Sequence, residues 1–515
     1  TQTEVKPHLF GKCVKAFTKS GSLNYNKELT TGQKNFMICD NCDKTFASTL
    51  KKYRPVLKSK QLDPDVLNNY RPVSNLTILS KIFEKCILKQ LNDHLQRNDL
   101  YASYQSAYRP FHSCETALMK IYSDVLEDLT SESYVIMTFL DFSTGFDTVD
   151  HNILIRRLKS EYGVGGVALD WFKSYLGDRS YKVKINDTLS DAQSLAFGVP
   201  QGSILGPILY SLYVKDIEKI AENYSIKVHI YADDVQLYTS CNKNSDFSDL
   251  ANCLEEIKEW ANRNYLKLND NKTQLLCVSK KSYSSPLPTY LKLMGQTLKV
   301  ENCAKYLGVW LDSRLSISRQ INSVCSQGYI MLKNLWRISS KISSICIRTQ
   351  LIDSCILSRL NFCNALYFNL PNKELYKLQK LLNAGARFIF NIYGKRRQQS
   401  ITSFLQKLHF LPIKFRVDFK VCLMVYKCLN NQAPEYLKCM LLSQNIDCDK
   451  RTRQDYDRTG LRIPPVEKLR YKCRSFRYAA PVVWNRLPRS IRESVCIDTF
   501  KTRLKTFYFN EWLAD

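Results

Sequence analysis

At 515 residues the chain is too long for one hydrophobic core, so we expect about three domains. A hydrophobic content of 44% excludes general disorder, and a net charge of +27 favours a polyanionic partner, most simply nucleic acid. Residues 391–515 hold 25 Lys+Arg against 11 Asp+Glu, so the positive excess is concentrated there. A basic face that is merely solvated is the alternative interpretation.

The nineteen cysteines lie mostly within apolar runs such as Val421-Cys422-Leu423. They indicate buried thiols in a reducing compartment rather than a disulfide framework. No signal peptide opens the chain, and no apolar run approaches transmembrane length. We therefore expect an intracellular protein of the nucleus and cytoplasm that has no membrane partner. The oligomeric state is not indicated.

Residues 1–53 differ in character from the rest. They resemble tandem two-Cys two-His zinc fingers in the linker at 31–34 and around Lys44-Thr45-Phe46. Most ligands are replaced, and no four-ligand set remains around Cys13, Cys39 and Cys42. Because such fingers unfold without metal, we predict a disordered segment that binds no zinc.

From residue 54 onward the pattern is that of a folded domain. Residues 62–77 predict a loop that contains Arg71, and a helix follows. Its apolar positions at helical spacing are Ile78, Ile82, Ile87 and Leu91. A second loop at 101–113 carries Arg109, and another helix is expected through Leu129.

The apolar run 135–142 is typical of a buried strand, and it ends at Asp141. Helices are expected at 151–162 and 168–176, and short strands at 181–185 and 193–197. The Gly- and Pro-rich stretch 198–207 predicts a loop that opens a helix through residue 220.

Residues 227–238 predict a strand, a two-residue turn and a returning strand, with Asp233 and Asp234 at the tip. Asp is common in turns, so this pair alone is weak evidence. Asp141 at the end of another strand strengthens the interpretation. Three carboxylates at strand ends can hold two divalent metals about 4 Å apart, the arrangement that drives in-line nucleotidyl transfer.

The remaining pattern predicts a helix at 246–266, a strand at 269–279 and a short strand pair at 306–312. This order favours an α+β fold with an antiparallel sheet and helices on one face. Residues 315–390 indicate a helical bundle. Residues 391–515 combine helices with loops rich in Arg and aromatic residues, such as 474–478.

The motifs in this order resemble a reverse transcriptase of the LINE (non-LTR retrotransposon) family, in its jockey-like and chicken-repeat-like branches. They include LNNYRPVSNL, FDTVDH, ALDWFKSYL, GVPQGSILGP, YADD and YLGV. The resemblance implies a right-hand polymerase: fingers and palm at 54–312, a helical thumb at 313–390 and a basic nucleic-acid-binding region at 391–515. It implies an RNA-directed DNA polymerase with two Mg²⁺ ions, for which Mn²⁺ substitutes. Its implied partners are an RNA template, a DNA primer or target DNA, and dNTPs.

Matched position by position, Asp141, Asp233 and Asp234 resemble the metal-binding triad of the family. Lys272 matches the lysine that protonates the departing pyrophosphate, and Leu307 with Gly308 matches the primer grip. The matches on the nucleotide side are Arg71, Arg109, Phe142, Phe146, Gln201 and Gly202. Open alternatives are surface cations for the two arginines and Lys272, an ordinary loop for 201–202, a plain β-turn for 307–308, and a core aromatic for Phe146.

Two departures from the family leave a second hypothesis open. The family commonly has Ala where this chain has Gly145, and this change is expected to weaken nucleotide binding. The endonuclease domain that usually precedes the polymerase is replaced by the finger-like segment, so no endonuclease domain is expected. The alternative is a catalytically decayed or domesticated remnant that only binds nucleic acid. An RNA-templated RNA polymerase is disfavoured by Phe146, the steric gate of the family.

Overall fold

The structure is a computed structural model of the chain. It describes residues 51–57, 70–130, 132–143, 145–177, 179–185, 188–269, 272–280, 282–283, 285–392, 400–442, 460–464 and 472–514. Residues 1–50 of the finger-like segment lie outside the described residues, and so does the prediction made for them. Strand β1 begins at Lys51, three residues before the predicted domain limit at 54.

The chain divides into two compact units. The first comprises residues up to 101, 144–214 and 261–267. Its strands are β1 Lys51–Leu57, β2 Tyr70–Asn75, β4 Ser180–Ile185, β5 Thr188–Leu189 and β6 Gln193–Ser194. They form a sheet in the order β2-β1-β4-β5, with β6 beside β4. The β1–β4 pair is parallel and the β1–β2 pair antiparallel.

Two helices of this first unit begin at side-chain caps. Thr77 accepts a hydrogen bond from the Ser80 amide, and Asp150 from the Ile153 amide. The predicted apolar stripe is buried only in its second half: Ile78 is 79% exposed, whereas Leu91 is fully buried. The helices are α1 Ile78–Arg97, α3 His151–Ser160, α4 Gly166–Leu176 and α5 Gly206–Tyr213, with a 3-10 turn at Gly145–Asp147.

The second unit comprises residues 102–143, 215–260 and 268–515. Its main sheet has the order β11-β12-β10-β3-β8-β7. All pairs on this path are antiparallel except β10–β12, which is parallel. The central strand is buried from Tyr134 to Leu140, which explains its continuous apolar sequence. The strands are β3 Ser133–Ser143, β7 Lys227–Tyr231, β8 Asp234–Asn242, β10 Gln274–Ser279, β11 Tyr290–Leu293 and β12 Gln296–Glu301.

A separate hairpin pairs β13 Cys303–Tyr306 with β14 Val309–Asp312. The short strand β9 spans Lys267–Leu268. The expected helix through residue 220 is wrong in one respect, because it is interrupted after Tyr213. A new helix, α6 Asp216–Asn223, carries Asp216 and Glu218 in its first turn, where acidic residues stabilise a helix N-terminus.

Residues 315–390 are largely helical, as the sequence predicts. The further helices of the second unit, except α7, share one core with the sheet. They are α2 Cys114–Asp128, α7 Ser248–Arg263, α8 Ser318–Arg337, α9 Ile345–Ile352, α10 Ser358–Asn361, α11 Asn372–Ile389, α12 Ile401–Lys407, α13 Ile413–Leu429, α14 Glu435–Leu442, α15 Phe476–Asn485, α16 Arg489–Arg492 and α17 Ile497–Ala514. A π-helical segment at Asp353–Leu357 links α9 to α10, and 3-10 turns lie at Ser339–Lys341, Asn364–Tyr367 and Lys472–Arg474.

The expected Arg-rich loop at 474–478 is wrong: it is a 3-10 turn followed by α15. Phe476, Ala480 and Trp484 recur at helical spacing and are buried, so packing of this face outweighs the intervening arginines. The α+β fold expected of a polymerase is confirmed, with a sheet at its core. None of the described helices is both long and apolar enough to cross a membrane.

Candidate active site

Three carboxylates lie at one end of the main sheet. Strands β3 and β8 pair antiparallel in a register that puts Asp141 opposite Asp234. Ala232 and Asp233 form the two-residue turn between β7 and β8, and Ala232 adopts a left-handed φ of 60°. The hairpin and the third carboxylate predicted from sequence are therefore brought together.

The three carboxylates repel one another. Burial, followed by the charges of Asp233 and Asp141, raises the pKa of Asp234 from 3.8 to about 6. The ring of Tyr108 faces the same charges, since burial and then Asp233 and Asp234 raise the pKa of its hydroxyl. Such a concentration of negative charge favours a bound cation.

Lys272 supplies one such cation. Its ammonium lies 2.9 Å from Oδ2 of Asp141, and its charge opposes the rise in the Asp234 pKa. The loop that carries it is anchored by the Asn269 amide, which donates to the Asp141 carbonyl at 2.9 Å. With its side chain 64% exposed, Lys272 can exchange with another cation at little cost.

The donor set fits a hard divalent metal, because Mg²⁺ prefers carboxylate oxygens. Within the described part of the chain, however, no three His, Cys, Asp or Glu side chains converge closely enough to ligate one ion. The register of β3 and β8 brings the three carboxylates of the predicted triad to the same end of the sheet.

In the first unit, Gln201 and Gly202 lie on the loop before α5. The Gln201 amide nitrogen donates to both carboxylate oxygens of Asp147, at 2.8 and 2.7 Å. The backbone carbonyl of Gln201 accepts a hydrogen bond from the backbone amide of Ser74 in β2, at 2.9 Å. Gly202 has a φ of 94°, a conformation that favours glycine. Sequence reasoning missed Asp147, although it stands within the FDTVDH motif.

A buried acid holds the start of α5. Glu84 of α1 accepts from the amides of Ile204 and Leu205, at 2.7 and 3.1 Å. These are helix N-terminal amides without intrahelical partners, which a carboxylate satisfies well. Glu84 was not predicted as functional. Its sequence context, LSKIFEK, contains other polar and charged residues and does not mark Glu84 as buried.

Phe146 stacks on Tyr210 of α5, with ring centroids 4.5 Å apart and planes at 20°. Phe146 is half-buried and Tyr210 is fully buried. A Cβ atom added at Gly145 would lie 2.6 Å from the Tyr210 hydroxyl. Gly145 therefore provides the space that Tyr210 occupies.

For three residues predicted to bind the nucleotide, the structure does not show a side chain that is free to contact a ligand. Nη1 of Arg109 donates to the carbonyls of Ala102 and Gln105, at 2.6 and 3.0 Å, so this group organises its own loop. Phe142 is 2% exposed, which leaves only its backbone for contact with a ligand. The side chain of Arg71 lies outside the described residues, and its backbone belongs to β2.

Leu307 and Gly308 form the tight turn between β13 and β14. Both have positive φ angles, 44° and 82°, as a two-residue hairpin turn requires. A Cβ at Gly308 would approach the Phe362 ring to 3.2 Å, so the glycine permits close packing. The predicted primer grip is thus a turn in contact with residue 362.

A buried polar network supports the β7–β8 hairpin from behind. The Gln105 side-chain oxygen accepts from the amides of Ala107 and Ala232, at 2.9 and 3.4 Å. Oγ of Ser106 lies 2.8 Å from Nε2 of His229 and 2.9 Å from the Tyr436 hydroxyl. Nothing in the sequence links Tyr436 to this hairpin, because more than 200 residues separate them.

Residues 56–311 match the family model described as reverse transcriptase (RNA-dependent DNA polymerase). The chain is 31% identical over 293 residues to a probable RNA-directed DNA polymerase from transposon BS of Drosophila melanogaster, covering 55% of this chain and 32% of that protein. It is 28% identical over 268 residues to the RNA-directed DNA polymerase from mobile element jockey of the same species, covering 51% and 29%. The chain thus spans about a third of the length of these relatives.

Among solved structures, an apo telomerase from Candida tropicalis is similar at 13% identity and a TM-score of 0.39, covering 86% of this chain and 73% of that one. A telomerase from Candida albicans, in complex with a fragment of telomeric RNA, has 12% identity and a TM-score of 0.36, with 70% and 66% covered. The description of the fold given above depends only on the strand order and helices of this chain.

Proposed function

The chain belongs to the LINE-type reverse transcriptase family, and from this premise we propose that it is an RNA-directed DNA polymerase. It would add dNTPs to a primer 3′-hydroxyl on an RNA template. The observation that carries this proposal is the register of β3 and β8, which puts Asp141 opposite Asp234 beside the turn that holds Asp233. RNA template, DNA primer and dNTPs are the partners proposed with it.

Asp141, Asp233 and Asp234 would hold two Mg²⁺ ions, or Mn²⁺ in their place. When bound, the ions supply Lewis acidity for the 3′-hydroxyl and neutralise charge on the triphosphate. Lys272 neutralises Asp141 in the metal-free protein. Once released, its ammonium can donate a proton to the departing pyrophosphate, which is the role proposed for it.

On the nucleotide side, Phe146 is the proposed steric gate against a 2′-hydroxyl. Its stack on Tyr210 restricts the movement of the ring. Gln201, held by Asp147, and Gly202 shape the loop proposed to lie against template and nucleotide. Arg71, Arg109 and the backbone at Phe142 remain proposed contacts to the triphosphate.

The proposed domains are fingers and palm at 54–312, a thumb at 313–390 and a basic nucleic-acid-binding region at 391–515. Leu307 and Gly308 would form the primer grip. Net positive charge in the last region supports phosphate binding there. Glu115 of α2 and Lys420 of α13, 2.9 Å apart, indicate that this region also supports the palm.

A decayed remnant that only binds nucleic acid is the second candidate. The observation that favours it is Gly145, which departs from the family pattern. The fit between Gly145 and Tyr210 reduces the weight of that departure, because the glycine is matched by its neighbour. The polymerase is therefore the better-supported function.

Extension of a DNA primer on an RNA template separates the two candidates. The purified chain, given dNTPs and Mg²⁺, should extend the primer, and chelation of the metal should abolish extension. A chain that binds primer–template tightly but adds no nucleotide under any divalent metal would support the remnant.

A further inference from the structure

Strand β7 lies at the edge of the main sheet, and the turn that carries Asp233 follows it directly. Residues 104–107 cover the outer side of this strand. The amide of Ser106 donates to the carbonyl of Ile230 at 2.9 Å, and the amide of Ile230 donates to the carbonyl of Tyr104 at 2.9 Å. Because an uncovered edge leaves backbone groups unpaired, this short segment completes the hydrogen bonding of β7.

The turn after β7 depends on the same segment. Ala232 has a φ of 60°, a left-handed conformation that is unfavourable for a residue with a Cβ atom. Such a conformation persists where the surroundings hold it. Here the amide of Ala232 donates to the side-chain oxygen of Gln105 at 3.4 Å, and the same oxygen accepts from the Ala107 amide at 2.9 Å. The position of Asp233, the next residue, therefore depends on how firmly residues 104–107 are held.

A chain of buried hydrogen bonds joins Ser106 of this segment to the C-terminal region. The Thr116 hydroxyl donates to the Ser113 carbonyl at 2.9 Å, so it accepts the hydrogen bond from the Tyr436 hydroxyl at 3.2 Å. Each hydroxyl has one proton to donate. Tyr436 therefore accepts from the Ser106 hydroxyl, 2.9 Å away.

The same chain determines which nitrogen of His229 carries the proton. Since Ser106 donates to Tyr436, its oxygen accepts from Nε2 of His229, at 2.8 Å. Burial, followed by the charges of nearby cations, lowers the pKa of His229 to about 3, so the ring is neutral and has one N–H. The rings of His229 and Tyr436 also meet edge to face, with centroids 5.6 Å apart. The chain thus runs in one direction, from β7 through Ser106 and Tyr436 to α2.

We propose that Tyr436 is a positioning residue of the catalytic centre, which holds Ser106 and, through it, the turn that carries Asp233. The proposal rests on the proposed polymerase function for the reaction that this turn serves. Tyr436 belongs to α14 and is 8% exposed, so it acts through Ser106 and not on a substrate. The C-terminal region thereby completes the catalytic centre in addition to its proposed binding of nucleic acid.

Tyr436→Phe removes one hydroxyl and keeps the ring, so it tests the chain with little change in packing. In the full chain, kcat for dNTP addition on an RNA template should fall about tenfold, because small displacements of catalytic groups slow a reaction steeply. The KM for dNTP should stay within about twofold, since no substrate contact is removed.

The matched control is Tyr426→Phe. It removes another buried hydroxyl of the C-terminal region, which donates to the Ser494 carbonyl at 2.9 Å and not to residues 104–107. This control should keep the parent kcat. Equal losses of kcat in Tyr436→Phe and Tyr426→Phe would overturn the proposal.

Ser106→Ala shows whether the two residues act through each other. If Tyr436 acts through Ser106, the double variant Ser106→Ala with Tyr436→Phe should be no slower than Ser106→Ala alone, because the second change removes a bond already lost. Losses that multiply in the double variant would show that Tyr436 acts by another route, and would overturn the proposal.

Hydrogen exchange of the backbone amides at 227–238 tests the positioning without catalysis. The amides of Ile230 and Ala232 donate to residues 104–107, so they should exchange faster in Tyr436→Phe than in the parent or in Tyr426→Phe. A parent chain that adds no nucleotide would refute the polymerase, while faster exchange would still support the positioning role. Unchanged exchange at 227–238 in Tyr436→Phe would overturn that role.

Discussion

Tyr210 occupies the space that a Cβ atom at position 145 would take. The Tyr210 hydroxyl is the atom that a Cβ would meet at 2.6 Å, and Tyr210 is buried too completely to move aside. The departure from the family pattern was expected to weaken nucleotide binding through flexibility. In the structure, the glycine fits closely against Tyr210, which stacks on Phe146.

Gly145→Ala should therefore destabilise the chain by about 1–3 kcal/mol, as overpacking of a buried site does. Tyr210→Phe removes the hydroxyl and should restore part of that loss when combined with Gly145→Ala. Chemical denaturation of the parent, both single variants and the double variant measures the coupling. Additive effects of the two changes would show that this contact does not determine the choice of glycine.

Phe146→Val tests whether the ring selects the sugar. Desolvating a 2′-hydroxyl costs roughly 1–3 kcal/mol, or about ten- to a hundred-fold in discrimination. The variant should retain part of its dNTP incorporation while its rNTP incorporation rises. Single-nucleotide incorporation with matched dNTP and rNTP measures this ratio.

The stack of Phe146 on Tyr210 makes a packing role the natural alternative. In that case both incorporation rates should fall together, and the ratio should stay at the parent value. Tyr210→Leu is the control, because it disturbs the stack without removing the proposed gate. A ratio raised equally by both variants would count against Phe146 as the gate itself.

Among the elements, β7 is supported by a histidine that cannot easily become charged. Burial, followed by the charges of Lys120, His112 and Arg109, lowers the pKa of His229 from 6.5 to about 3. Between pH 6.5 and about 3, His229 is protonated in the unfolded chain but neutral in the folded chain. His229 thus contributes stability that is fully present above pH 6.5 and is lost as pH falls towards 3.

We predict that the free energy of unfolding falls with acidification between pH 6.5 and 4, by about 1.4 kcal/mol per pH unit from this group. His229→Gln should reduce that slope by about one proton. Comparing the two proteins at pH 8 first removes the packing cost of the substitution. The same acid slope in parent and variant would assign the effect to other groups.

The sequence correctly predicts those strands and helices whose pattern is contained within the element itself. The run ending at Asp141 and the hairpin around Asp233 follow from local pattern, and both are observed. The break after Tyr213 does not follow, because the apolar pattern continues through it. Nor do the exposed Ile78 and the hydrogen bond of Gln201 to Asp147, since both depend on distant residues.

For the whole molecule, the last hundred residues share a core with α2 and the main sheet. Ser123 of α2 accepts from the Phe476 amide at 2.9 Å, and Glu127 pairs with Arg477 at 3.2 Å. The Tyr436 hydroxyl donates to Thr116 at 3.2 Å. Charge composition predicts binding to a polyanion, but it does not predict these contacts, because their partners lie more than 300 residues apart.

A chain that ends at residue 390 should therefore fail to form a stable second unit. Loss of α14 and α15 would remove the contacts that these helices make with Thr116, Ser123 and Glu127 of α2. Limited proteolysis and thermal unfolding should show a low or absent cooperative transition, which residues 400–514 added as a separate chain should partly restore. A shortened chain that unfolds at the parent temperature would contradict this.

The most direct test of the polymerase is Asp233→Asn, measured for primer extension and for RNA binding in the same preparation. We predict that Mg²⁺-dependent extension falls below a few per cent of the parent rate, because one carboxylate ligand is lost. RNA binding should stay nearly intact, because the basic surface is unchanged. Extension near the parent rate would contradict the assignment of the three carboxylates as the catalytic centre.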